Sequence, residues 1–164
     1  MSTFIDAGWR CTPSADPEPV RTVLLTACAE IGVCEVPPGS NAGALVERYT
    51  LPEKGIPWCA AFASYCWARV EGGSPFDRKF SALKFIEWAR ANGRLVKVPQ
   101  EGDIACVLHA NGHGHVGIVA GLLPPDGIST IEGNSKFPGE PDAVRGRVHR
   151  VADWDFYVRP TGDL

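Results

Sequence analysis

No apolar run in this chain reaches the ~18–20 residues that a membrane helix requires, so a span is not expected. Basic residues are in the minority, with 16 Lys and Arg against 19 Asp and Glu and a net charge of -3. Nucleic-acid binding needs clustered cations to displace the counterions of phosphate, so that class of partner is excluded. The first twenty residues, MSTFIDAGWRCTPSADPEPV, hold no cationic cluster followed by an apolar stretch. No Sec signal is therefore expected, and action outside the cytoplasm would need another delivery route. No internal repeat or low-complexity linker interrupts the chain. No HExxH and no paired CxxC motif occurs, which removes the strongest zinc signatures. Residues 39–58, GSNAGALVERYTLPEKGIPW, lack Asp and have only two Glu. Calcium takes several oxygen ligands, so none is expected there, and no cofactor is expected elsewhere.

What is present is an ordinary globular composition, 45% hydrophobic and 21% charged, over 164 residues. That length suits one domain with one substantial core. Residues 1–16, rich in Ser, Thr, Pro and Gly, read as a flexible arm, and residues 17–164 as the domain. Six cysteines stand at positions 11, 28, 34, 59, 66 and 106. A chain this size does not need disulfide staples, and several of these cysteines lie in apolar patterns where a free thiol acts as a small hydrophobe. Mostly reduced thiols are expected, with a bridge involving Cys11, Cys28 or Cys34 left open.

The chain divides into helices first and strands second. Asp16-Pro17 starts a helix carrying Val20, Val23, Leu24, Ala27, Cys28 and Ile31 at helical spacing, ended by Gly32. A short helix follows through Ala44–Tyr49. A third runs from about Trp58 to Val70 and is apolar nearly all round, the mark of a central buried helix. Ser81 caps a fourth, SALKFIEWARAN. Beyond Gly93, short segments bounded by Gly, Pro or Asp read as strands: LVKVP, DIACVLH, HVGIVAGL, STIEGN, VRGRVHRVA and FYVRP. Helices followed by some five to six antiparallel strands describe an α+β domain.

Cys59 sits just after Pro57 and Trp58, in the first turn of the third helix. Alone it would read as one more buried thiol. A nucleophilic thiol must be a thiolate, and the free N–H groups of a helix N-terminus together with an imidazolium lower its pKa. Those N–H groups can also hold the oxyanion of a tetrahedral intermediate. Of the four histidines, 109, 113, 115 and 149, His115 starts a strand beside glycine and can face a cleft. On the next strand Glu132 and Asn134 alternate onto one face, and hairpin pairing would carry Glu132 near His115 as its orienting group, with Asn134 as a further polar contact. Cys66, two helical turns on from Cys59, and Cys106, in an apolar strand, read as core. Trp58 reads as packing or as a wall of the cleft. Asp103 reads as a turn residue, and the charges of VRGRVHR, His149 included, as a solvated face.

The order PWCAAF, GDIACVL, GHVGIVAG, IEGNS resembles the CHAP domain, a papain-like, NlpC-related cysteine peptidase family that includes many phage and bacterial peptidoglycan hydrolases. The resemblance covers about residues 29–134. It implies Cys59 as nucleophile, His115 as base and Glu132 as the group orienting the imidazole, with Asn134 in a supporting role. It implies a papain-like fold and hydrolysis of a peptidoglycan amide, as endopeptidase or N-acetylmuramoyl-L-alanine amidase. By that resemblance the chain acts at the cell wall as a monomeric, endolysin-like lysin or effector. Holin-assisted release or a secretion machine would deliver it.

Three other readings compete. HANGHGH offers His109, His113 and His115 as zinc ligands, but its glycines make a poor preformed set. A papain-like cleft could bind glycan or peptide without cutting. A cysteine hydrolase could act on an amide outside the cell wall.

Overall fold

The computed structural model describes residues 18–162; the expected arm at residues 1–16 lies outside them. Four helices precede the sheet: α1 (Val20–Ala29), α2 (Glu47–Thr50), α3 (Cys59–Trp67) and α4 (Ala82–Ala91). Six strands follow: β1 (Leu95–Val96), β2 (Ile104–Leu108), β3 (Gly114–Leu123), β4 (Gly127–Ser135), β5 (Ala143–Arg150) and β6 (Phe156–Val158). They form one antiparallel sheet in the order β1-β6-β2-β3-β4-β5. The fold is α+β, as the helix-then-strand order predicts.

The elements form for local reasons. Ser81 Oγ accepts the Lys84 N–H and caps α4, which satisfies one of the donors that a helix start leaves free. α1 begins at Val20 behind Pro19, the expected start at Asp16-Pro17 lying outside the described residues, and α3 stops at Trp67 rather than Val70. Eight of the nine α3 residues are buried, Tyr65 being the exception, so α3 is the central helix its all-round apolarity predicts. One sheet face carries Val116, Ile118, Ile131 and Val144 against the helices. The other carries Ala105, Val119, Ile128, Trp154 and Tyr157.

Four cysteines, 34, 59, 66 and 106, are free thiols. Cys28 is disulfide-bonded, which settles the bridge left open for that residue. Asp103 closes the expected turn before β2, its N–H donating to the Gln100 carbonyl, and it is also buried, with Arg159 donating to both its oxygens from Nε (3.0 Å) and Nη2 (2.9 Å). Burial pushes its carboxyl up, against the lowering effect of Arg159. Nor is VRGRVHR wholly solvated. Arg145 is fully buried; its Nε donates to the Ser135 carbonyl at 2.7 Å and its Nη1 to Glu140 at 2.8 Å. The register gives the reason, since Arg145 pairs directly with Glu132 across β4 and β5.

Gly133 sets how closely α3 approaches the sheet. A Cβ there would lie 2.6 Å from Phe62 Cβ and 3.0 Å from Trp58 Cε3. Neither neighbour can yield, because both side chains are buried in the core. Gly133→Ala should therefore lever the first turn of α3 off β4, at about 1–3 kcal/mol for an overpacked site. Thermal unfolding by circular dichroism should register the loss. A variant as stable as the parent would mean that the contact relaxes freely.

Candidate active site

Cys59 is the first residue of α3. The first helical bond runs from Phe62 N–H to the Trp58 carbonyl, so the N–H groups of Cys59, Ala60 and Ala61 find no acceptor inside the helix. The Ala60 N–H turns to the Cys59 sulfur, as does that of Val116 on β3. Asn134 holds this turn in place, its Oδ1 accepting the Trp58 N–H at 3.1 Å.

His115 lies on β3 opposite Val107, near enough to Cys59 that its hydrogen bonding and charge act on the thiol. Its Nε2 is 2.8 Å from Glu132 Oε2. An ionised carboxylate only accepts, so Nε2 carries the proton and Nδ1 is left for the sulfur. The imidazole stacks on Trp154, with ring centroids 6.1 Å apart and planes at 23°. Its side chain keeps 25% exposure.

Glu132 is 3% exposed and saturated with donors. Oε2 takes His115 and the Ser135 hydroxyl (3.2 Å). Oε1 takes the Thr130 hydroxyl (2.6 Å) and His149 Nε2 (2.6 Å). Burial alone would push the carboxyl up, but the two histidines, through hydrogen bonds and charge, hold it far below the usual carboxylate range. Gly117 makes room for it, since a Cβ there would lie 2.9 Å from Glu132 Cγ.

The same opposition runs through the pair. Burial pushes the Cys59 thiol up, and His115, by hydrogen bond and charge, brings it below its ordinary value with help from the two N–H groups. Burial pushes His115 down, and its bonds to Cys59 and Glu132 raise it to about 10. The other buried thiols lack such partners: burial drives Cys66 and Cys106 up. Of these three, Cys59 alone is poised as a thiolate beside an imidazolium.

The sulfur opens on a cleft of about 460 Å³. Ile56, Pro57, Phe80 and Leu83 give it apolar walls, and Glu53 and His113 add polar groups. A larger space of about 660 Å³ near Trp67 and Glu71 has neither thiol nor imidazole on its walls.

Cys59, His115 and Glu132 thus meet, while three other expectations need correction. Asn134 does not join His115. β4 is irregular between Glu132 and Ser135, and Asn134 takes a positive φ of 55°. The extra residue of a bulge breaks the alternation that would put Glu132 and Asn134 on one face. Asn134 Nδ2 instead donates to Glu35 at 3.2 Å. Trp58 is fully buried, stacked on Tyr49, with Nε1 donating to Glu35 at 2.9 Å, and does not line the cleft. His149 is an inward partner of Glu132 rather than a solvent-facing residue. Glu35, which no motif marks, ties Trp58 to Asn134 beneath the helix start.

The zinc alternative is not assembled. Among the described residues, no three His, Cys, Asp or Glu converge as metal ligands. His109 and His113 are exposed on a tight turn closed by His109 N–H to the His113 carbonyl. Among the described residues no helix is long and apolar enough to cross a membrane.

Comparison with known proteins agrees with this geometry at the level of family. No curated protein matches the chain, and no solved structure does. The family model described as the CHAP domain matches residues 52–134, half of the chain, and the matched span contains Cys59, His115 and Glu132. This chain belongs to the CHAP domain family.

Proposed function

We propose that this chain is a cysteine amidohydrolase that cuts an amide bond of the peptidoglycan stem peptide. Membership of the family implies peptidoglycan hydrolysis, as amidase or endopeptidase, at family level. The observation that carries the finer reading is the continuous chain of contacts from Cys59 through His115 to Glu132. The Cys59 thiolate attacks the scissile carbonyl, and the unbonded N–H of Cys59 receives the developing oxyanion. The His115 imidazolium then protonates the leaving amine, which departs and leaves a thioester on Cys59. Water, deprotonated by His115, attacks that thioester, releases the acid and returns the thiolate–imidazolium pair. The apolar walls suit the methyl groups of a short alanine-bearing peptide, and Glu53 and His113 suit its polar groups. A peptidoglycan substrate implies action at the cell wall, as a lysin or effector.

Incubation with defined muropeptides, followed by mass spectrometry of the products, tests this and names the bond. A new carboxylate–amine pair from one amide is expected. Iodoacetamide should abolish its formation and EDTA should leave it intact. Turnover that survives alkylation of Cys59 but not EDTA would reject the thiol mechanism. If no muropeptide is cut, the peptidoglycan reading fails.

A further inference from the structure

We propose that His149 is a positioning residue for the Cys59–His115 pair, acting through Glu132. This rests on the reading of Cys59 and His115 as the reacting pair. Glu132 lies between two rings, 2.8 Å from His115 Nε2 and 2.6 Å from His149 Nε2. With Oε1 held by His149 and Thr130, only Oε2 is free to face His115. Trp154 fixes both rings, stacked on His115 and edge-on to His149 at 5.2 Å and 81°. Register accounts for the arrangement. His149 pairs with Ile128 across β4 and β5, so alternation puts His149 on the face that carries Thr130 and Glu132.

His149 is 23% exposed. The other charges around it are accounted for. Asp153, in the turn after β5, feels the His149 charge but is bound by Arg150 at 2.9 Å. Arg147, two residues back on β5, lies over Phe137 at 4.5 Å and donates to the Lys136 carbonyl.

A measurement that needs no substrate tests this. The second-order rate of Cys59 alkylation by iodoacetamide at neutral pH, read by mass spectrometry of its peptide, should fall about tenfold in His149→Ala. His149→Gln keeps a neutral N–H donor and should recover most of that loss. Parental alkylation in His149→Ala overturns the proposal, as does a His149→Gln variant as slow as His149→Ala. If His149→Ala does not fold, His149→Leu, which also lacks a donor, takes its place in the comparison with His149→Gln. Failure to cut peptidoglycan would sink the substrate assignment and leave these readings standing.

Discussion

Cys59→Ala should reduce turnover of muropeptides by roughly 10⁴-fold or more, the scale on which loss of a covalent nucleophile is felt, and should leave the fold in place. The sulfur is a small part of a packed first turn whose other supports persist: Asn134 still accepts the Trp58 N–H, and Trp58 still donates to Glu35. The loss of one buried sulfur should cost about 1 kcal/mol. The informative contrast is Cys66→Ala. Both thiols lie in α3 and both are buried, but burial drives the Cys66 thiol up with no imidazole against it. That variant should lose comparable stability and keep its turnover. Equal activity loss in the two would mean that α3 packing, not thiolate chemistry, carries the function. His115 supplies a further check, because part of its rise to about 10 comes from Cys59. In Cys59→Ala its titration should move down, visible in the ring ¹⁵N shifts even where activity is gone.

How much of this was legible in the sequence depends on whether a residue's role is set by its neighbours in the chain or by partners far from it. The α3 start is local: Pro57 and an apolar run are enough to put Cys59 in a first turn. The strands are local too, since each is bounded by its own Gly, Pro or Asp. Glu132 followed from pairing β3 and β4 as a hairpin, and it survives the irregularity between Val119 and Gly121. Asn134 left the Glu132 face because β4 is irregular between Glu132 and Ser135, a break for which Gly133 inside the strand was the available cue. The burial of Asp103 and Arg145 was hidden for a different reason. A buried ion pair joins residues 56 positions apart in one case and depends on the β4–β5 register in the other. His149 was within reach. Once β4 and β5 are taken as neighbours, alternation puts residues 145, 147 and 149 on the Glu132 face, and a buried carboxylate facing basic residues is rarely left unpaired. Glu35 carries no signal of any kind, as its partners Trp58 and Asn134 are 23 and 99 residues away.

Glu132→Gln should lower kcat by about 10²- to 10⁴-fold with a smaller change in KM, as expected when a buried carboxylate that orients a catalytic imidazole loses its charge. An amide has one acceptor oxygen where the carboxylate has two. Four donors converge on the site, from His115, Ser135, Thr130 and His149. Two of them must face an N–H₂ group, which donates and cannot accept. The same change should cost about 2–3 kcal/mol. That is below the ~3–5 kcal/mol of a broken buried ion pair, because imidazoles can shed the stranded charge by losing protons. The pH dependence identifies the cause. Glu132 is held below its unfolded value of ~4.3, so its contribution is present above that pH and lost as pH falls below it. His115 is raised to about 10, so its contribution is complete below its unfolded value of ~6.5 and lost as pH rises through 10. The gap in thermal stability between parent and Glu132→Gln should therefore be widest between pH ~4.3 and ~6.5, narrowing as pH falls below ~4 and again as it rises through ~10. A gap constant across that range would mean that Glu132 serves by shape alone. The charge that holds the imidazolium beside Cys59 would then have to come from elsewhere.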